Sequence, residues 1–139
     1  MFKSKICVAL AFIFTLISAT ISQMPSTNAF DVGIDVYSNR YNQYFECTIN
    51  DRKSSGSVRI DMWPTSNKIK NYSVKMLDEK GRYIWEEDGA LTWNGSRTFH
   101  LGNDHKVYRI YIKANGGSGN VALAVIKVSS NVTIKKRSW

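Results

Sequence analysis

Cysteine is nearly absent from this chain of 139 residues: there are two, Cys7 and Cys47. Cys7 falls in an N-terminal segment with the features of a removable export signal, so the exported chain would keep Cys47 alone and form no internal disulfide. That excludes a disulfide-stapled scaffold and leaves stability to a packed core. It suits a bacterial exoprotein of the Gram-positive kind better than a small animal toxin. Proline is as scarce, at two residues, and glycine is ordinary at nine. With 43% hydrophobic, 12% aromatic and 22% charged residues, the composition is that of a globular chain rather than a disordered one. Acids are in the minority, 11 against 19 Lys and Arg.

The N-terminus has three parts. Two lysines lie within Met1–Lys5, an uncharged and mostly apolar run follows from Ile6 to Ser22, and Pro25 precedes the small-residue site Thr27-Asn28-Ala29. This is the pattern of a secretory signal of 29 residues, cleaved between Ala29 and Phe30, and the expected destination is extracellular. The run is shorter than the ~20 residues of a spanning helix, so a retained anchor is the lesser alternative. Cys7 lies at the start of the run, not after it, which is the wrong place for a lipoprotein cysteine. About 110 residues remain, enough for one two-layer domain, residues 30–139.

That domain reads as short strands between turns. Ser57 to Trp63 puts Val58, Ile60 and Met62 on one face and Arg59 and Asp61 on the other. Tyr72, Val74 and Met76 alternate with Ser73 and Lys75, and Tyr108, Ile110 and Ile112 alternate with Val107, Arg109 and Tyr111. Val121–Val128 is apolar on both faces until Lys127, which predicts a central strand. Asp78-Glu79-Lys80-Gly81 and Asn94-Gly95 read as hairpin turns, and 115–120 as a glycine-rich hairpin loop. Eight or nine strands at this spacing predict an antiparallel β-sandwich of Greek-key or jelly-roll type, with a closed barrel as the alternative.

The segment VYRIYIKANGGSGNVALAVIKV, Val107–Val128, resembles the closing hairpin of bacterial pre-peptidase C-terminal-type domains. It covers about a fifth of the exported chain. The resemblance implies a secreted jelly roll that serves as a non-catalytic accessory module, and no specific binding motif carries over with it.

No strong catalytic motif is present. His100, Asp104 and His105 surround a turn but lack a nucleophile elbow and a third soft ligand, so turn-capping is the expected role of Asp104. Glu86-Glu87-Asp88 are neighbours whose side chains diverge and read as a charged loop tip, not a glycosidase pair. No calcium-loop spacing and no phosphate-binding glycine loop occur, so no cofactor and no metal are expected. Three N-x-S/T sequons are close to the chance number and carry no inference.

Charge and aromatics are the informative features. Without Lys3 and Lys5 the basic count is 17 against 11 acids, a net charge of +6. Such a surface is drawn to anionic cell-wall polymers, acidic polysaccharides or membrane headgroups. Export and the lack of a reading motif argue against nucleic acid. The candidate binding residues are Tyr37, Tyr41, Tyr44, Trp85 and Trp93, with the basic tail Lys135, Lys136, Arg137 and Trp139. The expectation is a non-enzymatic binding module at the cell envelope. The alternatives are a membrane-active, bacteriocin-like exoprotein and a protein inhibitor or assembly subunit that uses a sheet edge.

Overall fold

A computed structural model describes residues 32–51 and 53–138. The expected signal segment, its cleavage site and Trp139 lie outside the described residues. The strands are β1 (Val32–Tyr37), β2 (Gln43–Ile49), β3 (Gly56–Pro64), β4 (Ile69–Leu77), β5 (Tyr83–Thr92), β6 (Ser96–Leu101), β7 (Val107–Gly116), β8 (Asn120–Val128) and β9 (Val132–Ser138). They form two antiparallel sheets, a four-stranded one in the order β1-β8-β3-β6 and a five-stranded one in the order β5-β4-β7-β2-β9. The nested pairing of β1 with β8, β2 with β7, β3 with β6 and β4 with β5 is the strand order of a jelly roll. β9 extends the five-stranded sheet beside β2.

Alternation builds the core. Ile34 and Val36 from β1, Phe45, Cys47 and Ile49 from β2, and Val58, Ile60 and Met62 from β3 are all buried. They meet Tyr72, Val74 and Met76 from β4 and Tyr108, Ile110 and Ile112 from β7 in one cluster. Each fully buried aliphatic or aromatic side chain contributes on the order of 2 kcal/mol.

Several turn readings are corrected by this topology. Among successive strands, only β4 and β5 share a sheet, so only Asp78–Gly81 closes a true hairpin. Asn94-Gly95 is a corner that takes the chain from β5 in one sheet to β6 in the other, and Gly95 C=O accepts from Met62 N–H of β3 at 2.9 Å. The loop around Gly117 likewise carries the chain from β7 to β8 in the opposite sheet. The segment Val107–Val128 is therefore an arch between sheets, not a hairpin. Turn chemistry fixes where a chain reverses, but the sheet that receives the next strand is decided by which apolar face must be covered. Two short predicted strands also merge: β5 runs through Glu86-Glu87-Asp88, so these acids lie within a strand and not on a loop tip. The last strand includes Lys135–Arg137, which are paired to β2 and not frayed.

The arch is held by the chain leaving β1. Ser38 Oγ lies 2.8 Å from the carbonyl oxygens of both Gly116 and Gly117, which share its single proton, and Ser38 N–H donates to Gly119 C=O at 2.9 Å. Gly116 has φ of 105°, and a Cβ there would sit 2.5 Å from the backbone oxygen of Lys68. Gly119 also has a positive φ, 71°, but open space around it. Gly116→Ala is expected to cost about 3 kcal/mol or more and Gly119→Ala about 1 kcal/mol, because only the first adds a backbone collision to the dihedral strain. Urea unfolding of the two variants measures this, and equal losses would contradict the role given to the contact.

Candidate functional site

The outer face of the five-stranded sheet brings together four of the predicted binding residues, Tyr41, Tyr44, Lys135 and Arg137. Glu86 on β5 lies opposite Lys75 on β4, Lys75 opposite Tyr111 on β7, Tyr111 opposite Tyr44 on β2, and Tyr44 opposite Arg137 on β9. One row therefore crosses all five strands. It joins two features that are far apart in sequence, the early tyrosines and the basic C-terminal run. In the adjacent row, Arg109 lies opposite Glu46 and Glu46 opposite Lys135.

Tyr41 comes from the β1–β2 connection and lies across this face. Its hydroxyl donates to Glu86 Oε1 at 2.7 Å, and its ring meets Tyr111 edge to face at 6.1 Å between centroids. Lys75 Nζ sits 4.4 Å and Lys113 Nζ 4.9 Å from the Tyr41 ring centre. Such cation–π contacts contribute about 0.5–1 kcal/mol when exposed. Tyr44 stacks on Tyr111 at 4.8 Å with a 23° tilt. The result is that Tyr111, although on an outward position, is only 3% exposed, while Tyr41 and Tyr44 above it are half-buried and reachable. Burial, the hydrogen bond to Glu86 and the charges of Glu86 and Asp88 all raise the Tyr41 pKa, so its phenol stays protonated.

Charge across this face is graded. Of the acids on β5, Glu86 meets Tyr41 and Asp88 meets Ser73 Oγ at 2.8 Å on this face, while Glu87, opposite Val74, turns to Arg97 of β6 at 2.7 Å. Ser73, an outward position in the alternation, is thereby buried, and Asn115 Nδ2 donates to its oxygen at 2.9 Å. At the opposite edge Lys135, Lys136 and Arg137 are exposed. Glu46 faces Arg109 and Arg137 at 3.6 Å each.

The other predicted residues go elsewhere. Tyr37 ends β1 in the four-stranded sheet, with the Arg40 guanidinium 5.0 Å from its ring centre. Trp85 does not stand on the surface as a platform: it is half-buried and packs its edge on Phe99 at 5.7 Å, because its place on β5 opposite Met76 turns it toward the core. Trp93 is 40% exposed in the β5–β6 corner, its Nε1–H donating to Ser66 C=O at 2.8 Å.

Two groups of residues were missed by the sequence reading. Tyr111, Lys75 and Lys113 complete the tyrosine face, and the parity of Tyr111 with Arg109 was the signal for its outward position. Trp63, 63% exposed, stands opposite Leu123, 39% exposed, on the outer face of the four-stranded sheet. Its parity with Arg59 and Asp61 marks it as outward. β8 is central, as expected, but its two-sided apolar pattern reflects this exposed patch rather than burial on both faces.

Catalytic chemistry finds little support. Cys47, the one cysteine of the described residues, is fully buried, and burial pushes its thiol up to about 12. Asp78, Glu79 and His105 bring ligand atoms within 4.8 Å of one another. Asp78, however, already caps the β4–β5 turn. Its Oδ1 accepts from the backbone N–H groups of Lys80 at 2.9 Å and Arg82 at 2.8 Å, and its Oδ2 from Arg82 Nε at 2.7 Å. A metal would have to displace these bonds.

No family model matches the chain, and neither does the sequence of any curated protein. Among solved structures it is similar to the FlgD of P. aeruginosa, with 13% identity, coverage of 70% of this chain and 86% of that one, and a TM-score of 0.42. FlgD of Xanthomonas campestris gives 11% identity, 70% and 83% coverage and a TM-score of 0.35. A family 35 carbohydrate-binding module from an environmental isolate gives 12% identity, 84% and 96% coverage and a TM-score of 0.42.

The Asp78 turn makes a pH-dependent contribution to stability. Burial alone would raise its pKa, but the hydrogen bonds from Arg82 and Lys80 and the Arg82 charge outweigh it and hold the carboxyl below the usual aspartate range. A lowered folded-state pKa gives stability that is complete above the unfolded value of about 3.9 and lost as pH falls through the folded value. Asp78→Asn should therefore lower Tm at pH 7 and flatten its fall between roughly pH 5 and pH 2. A parallel shift of the whole Tm–pH curve would refute the charge-based role.

Proposed function

We propose that this protein is an exported, non-enzymatic binding domain whose ligand is an anionic extracellular polymer, either an acidic polysaccharide or a wall phosphodiester polymer. The reading is supported above all by one observation, the direct cross-strand pairing of Tyr44 with Arg137. It sets reachable tyrosine rings beside the exposed cations of β9. Sugar rings would lie against Tyr41 and Tyr44, and acidic groups of the same chain would meet Arg137 and Lys135. Lys75 and Lys113 hold Tyr41 in place and add positive potential along the row. The acids on β5 would repel the polymer there and set the direction in which it crosses the sheet.

A second reading, as an assembly subunit, is favoured by the exposed Trp63–Leu123 pair on the opposite sheet.

Co-sedimentation with cell walls, and binding to immobilised polygalacturonate with neutral dextran as control, test the first reading across a salt series. Affinity for the acidic polymer should fall at least about tenfold between low and high salt, because exposed charges are screened beyond about 10 Å at 0.1 M. Combined Lys135→Gln and Arg137→Gln should weaken binding about tenfold, Tyr41→Ala about fivefold, and Trp63→Ser should change nothing. Salt-independent binding, or loss through Trp63→Ser alone, would overturn it in favour of the second reading. Leakage of anionic vesicles would move the membrane-active alternative to the front.

A further inference from the structure

On the side away from β9 the two sheets end in β5 and β6, and a cavity of about 370 Å³ opens between these edges. Its floor is core: Met76 and Phe99 are both 5% exposed. Its wall is formed by the half-buried Ile84 and Trp85, which are neither fully covered nor fully solvated. At the rim stand Arg97 and His100, both exposed. The volume is at the lower end of the range for small-molecule sites, and the lining has their usual make-up of apolar walls with a few polar groups.

The polar groups indicate the sign of the ligand. The Arg97 guanidinium lies 4.8 Å over the Phe99 ring, the place an organic cation would need. Its charge is permanent, and its Nη1 is steadied by Glu87 Oε2 at 2.7 Å and Ala90 C=O at 3.0 Å. A carboxylate could take donors from the rest of the guanidinium fork, whereas His100, one residue out of step with Phe99, turns its side chain to the outer face of the four-stranded sheet. Asp104 is on the lining too, but it is exposed on the β6–β7 turn and gives the head group its outer limit.

We infer that this cleft binds a small amphipathic anion, an aliphatic or aromatic body lying on Trp85 and Met76 with a carboxylate at Arg97. The inference is independent of the polymer face, which lies on the outer surface of the five-stranded sheet. Binding would drain water from the apolar wall where the sandwich is open.

The test uses octanoate and its neutral analogue 1-octanol as probes, read by amide, indole and methyl NMR shifts of the whole folded domain. Octanoate should shift the Trp85 indole and Met76 methyl signals saturably, with a Kd near or below about 1 mM. 1-Octanol should bind about tenfold more weakly, and Arg97→Gln should weaken octanoate at least about fivefold. Unchanged dispersion of the remaining signals shows that the variant is folded. No saturable shift at these two residues, equal affinity for octanol, or indifference to Arg97→Gln would overturn the inference.

Discussion

The two sheets meet only through the alternate side chains that each strand turns inward, and those contacts carry the stability without covalent help. Cys47, the one thiol of the described residues, is itself packed among them. A slip of one residue in any strand would turn its whole apolar set to solvent, so the register of every strand is fixed by the core. The outer faces inherit that register. Arg137 stands beside Tyr44 because Ile134 pairs with Cys47 and packs on the core, and Arg137, three positions further along, then falls opposite Tyr44. The proposed binding face is thus a consequence of the core.

The two outer faces differ in how they treat their aromatics. On the five-stranded sheet Tyr111 is covered by Tyr41, by Tyr44 and by the lysines around them, so that a small second cluster forms outside the core. Its polar atoms face the surface and its rings exclude water, an arrangement that pre-orients Tyr41 and Tyr44. On the four-stranded sheet Trp63 and Leu123 lie open, with Gly33 adding no side chain beside Leu123. The first face is preorganised and charged; the second is apolar and uncovered. A polymer gains from rings that are already held, since less side-chain entropy is lost on binding.

Much of this was legible in the sequence. Strand alternation gave the inward faces of β3, β4 and β7, and the strand count gave the sandwich. The sheet membership of each strand was not legible: Asn94-Gly95 has the composition of a hairpin turn, yet it joins β5 and β6 across the two sheets. That choice depends on contacts between distant strands, which local turn chemistry does not encode. The site was legible in parts. The tyrosines of 37–44 and the basic run 135–137 were each visible, but their adjacency comes from β9 pairing with β2. Trp85, read as a candidate binding residue, is instead turned toward the core by its pairing with Met76. Trp63 and Tyr111 were readable from parity alone.

The exposed edge at β9 raises a competing account of the same cations. An edge strand with open hydrogen-bonding groups invites pairing with other chains, and lysine or arginine on such a strand prevents it. Lys136 fits that role, since its parity with Ile134 directs it to the inner side of the edge, away from the tyrosines. Lys135 and Arg137 do not fit it so simply: they lie on the outer face, and Arg137 is shared with Arg109 in facing a single carboxylate, Glu46. Two guanidinium groups around one acid leave an excess of positive charge next to Tyr44. Edge protection needs charge on the strand but gives no reason to set that excess against a stacked tyrosine pair, and ligand binding gives one.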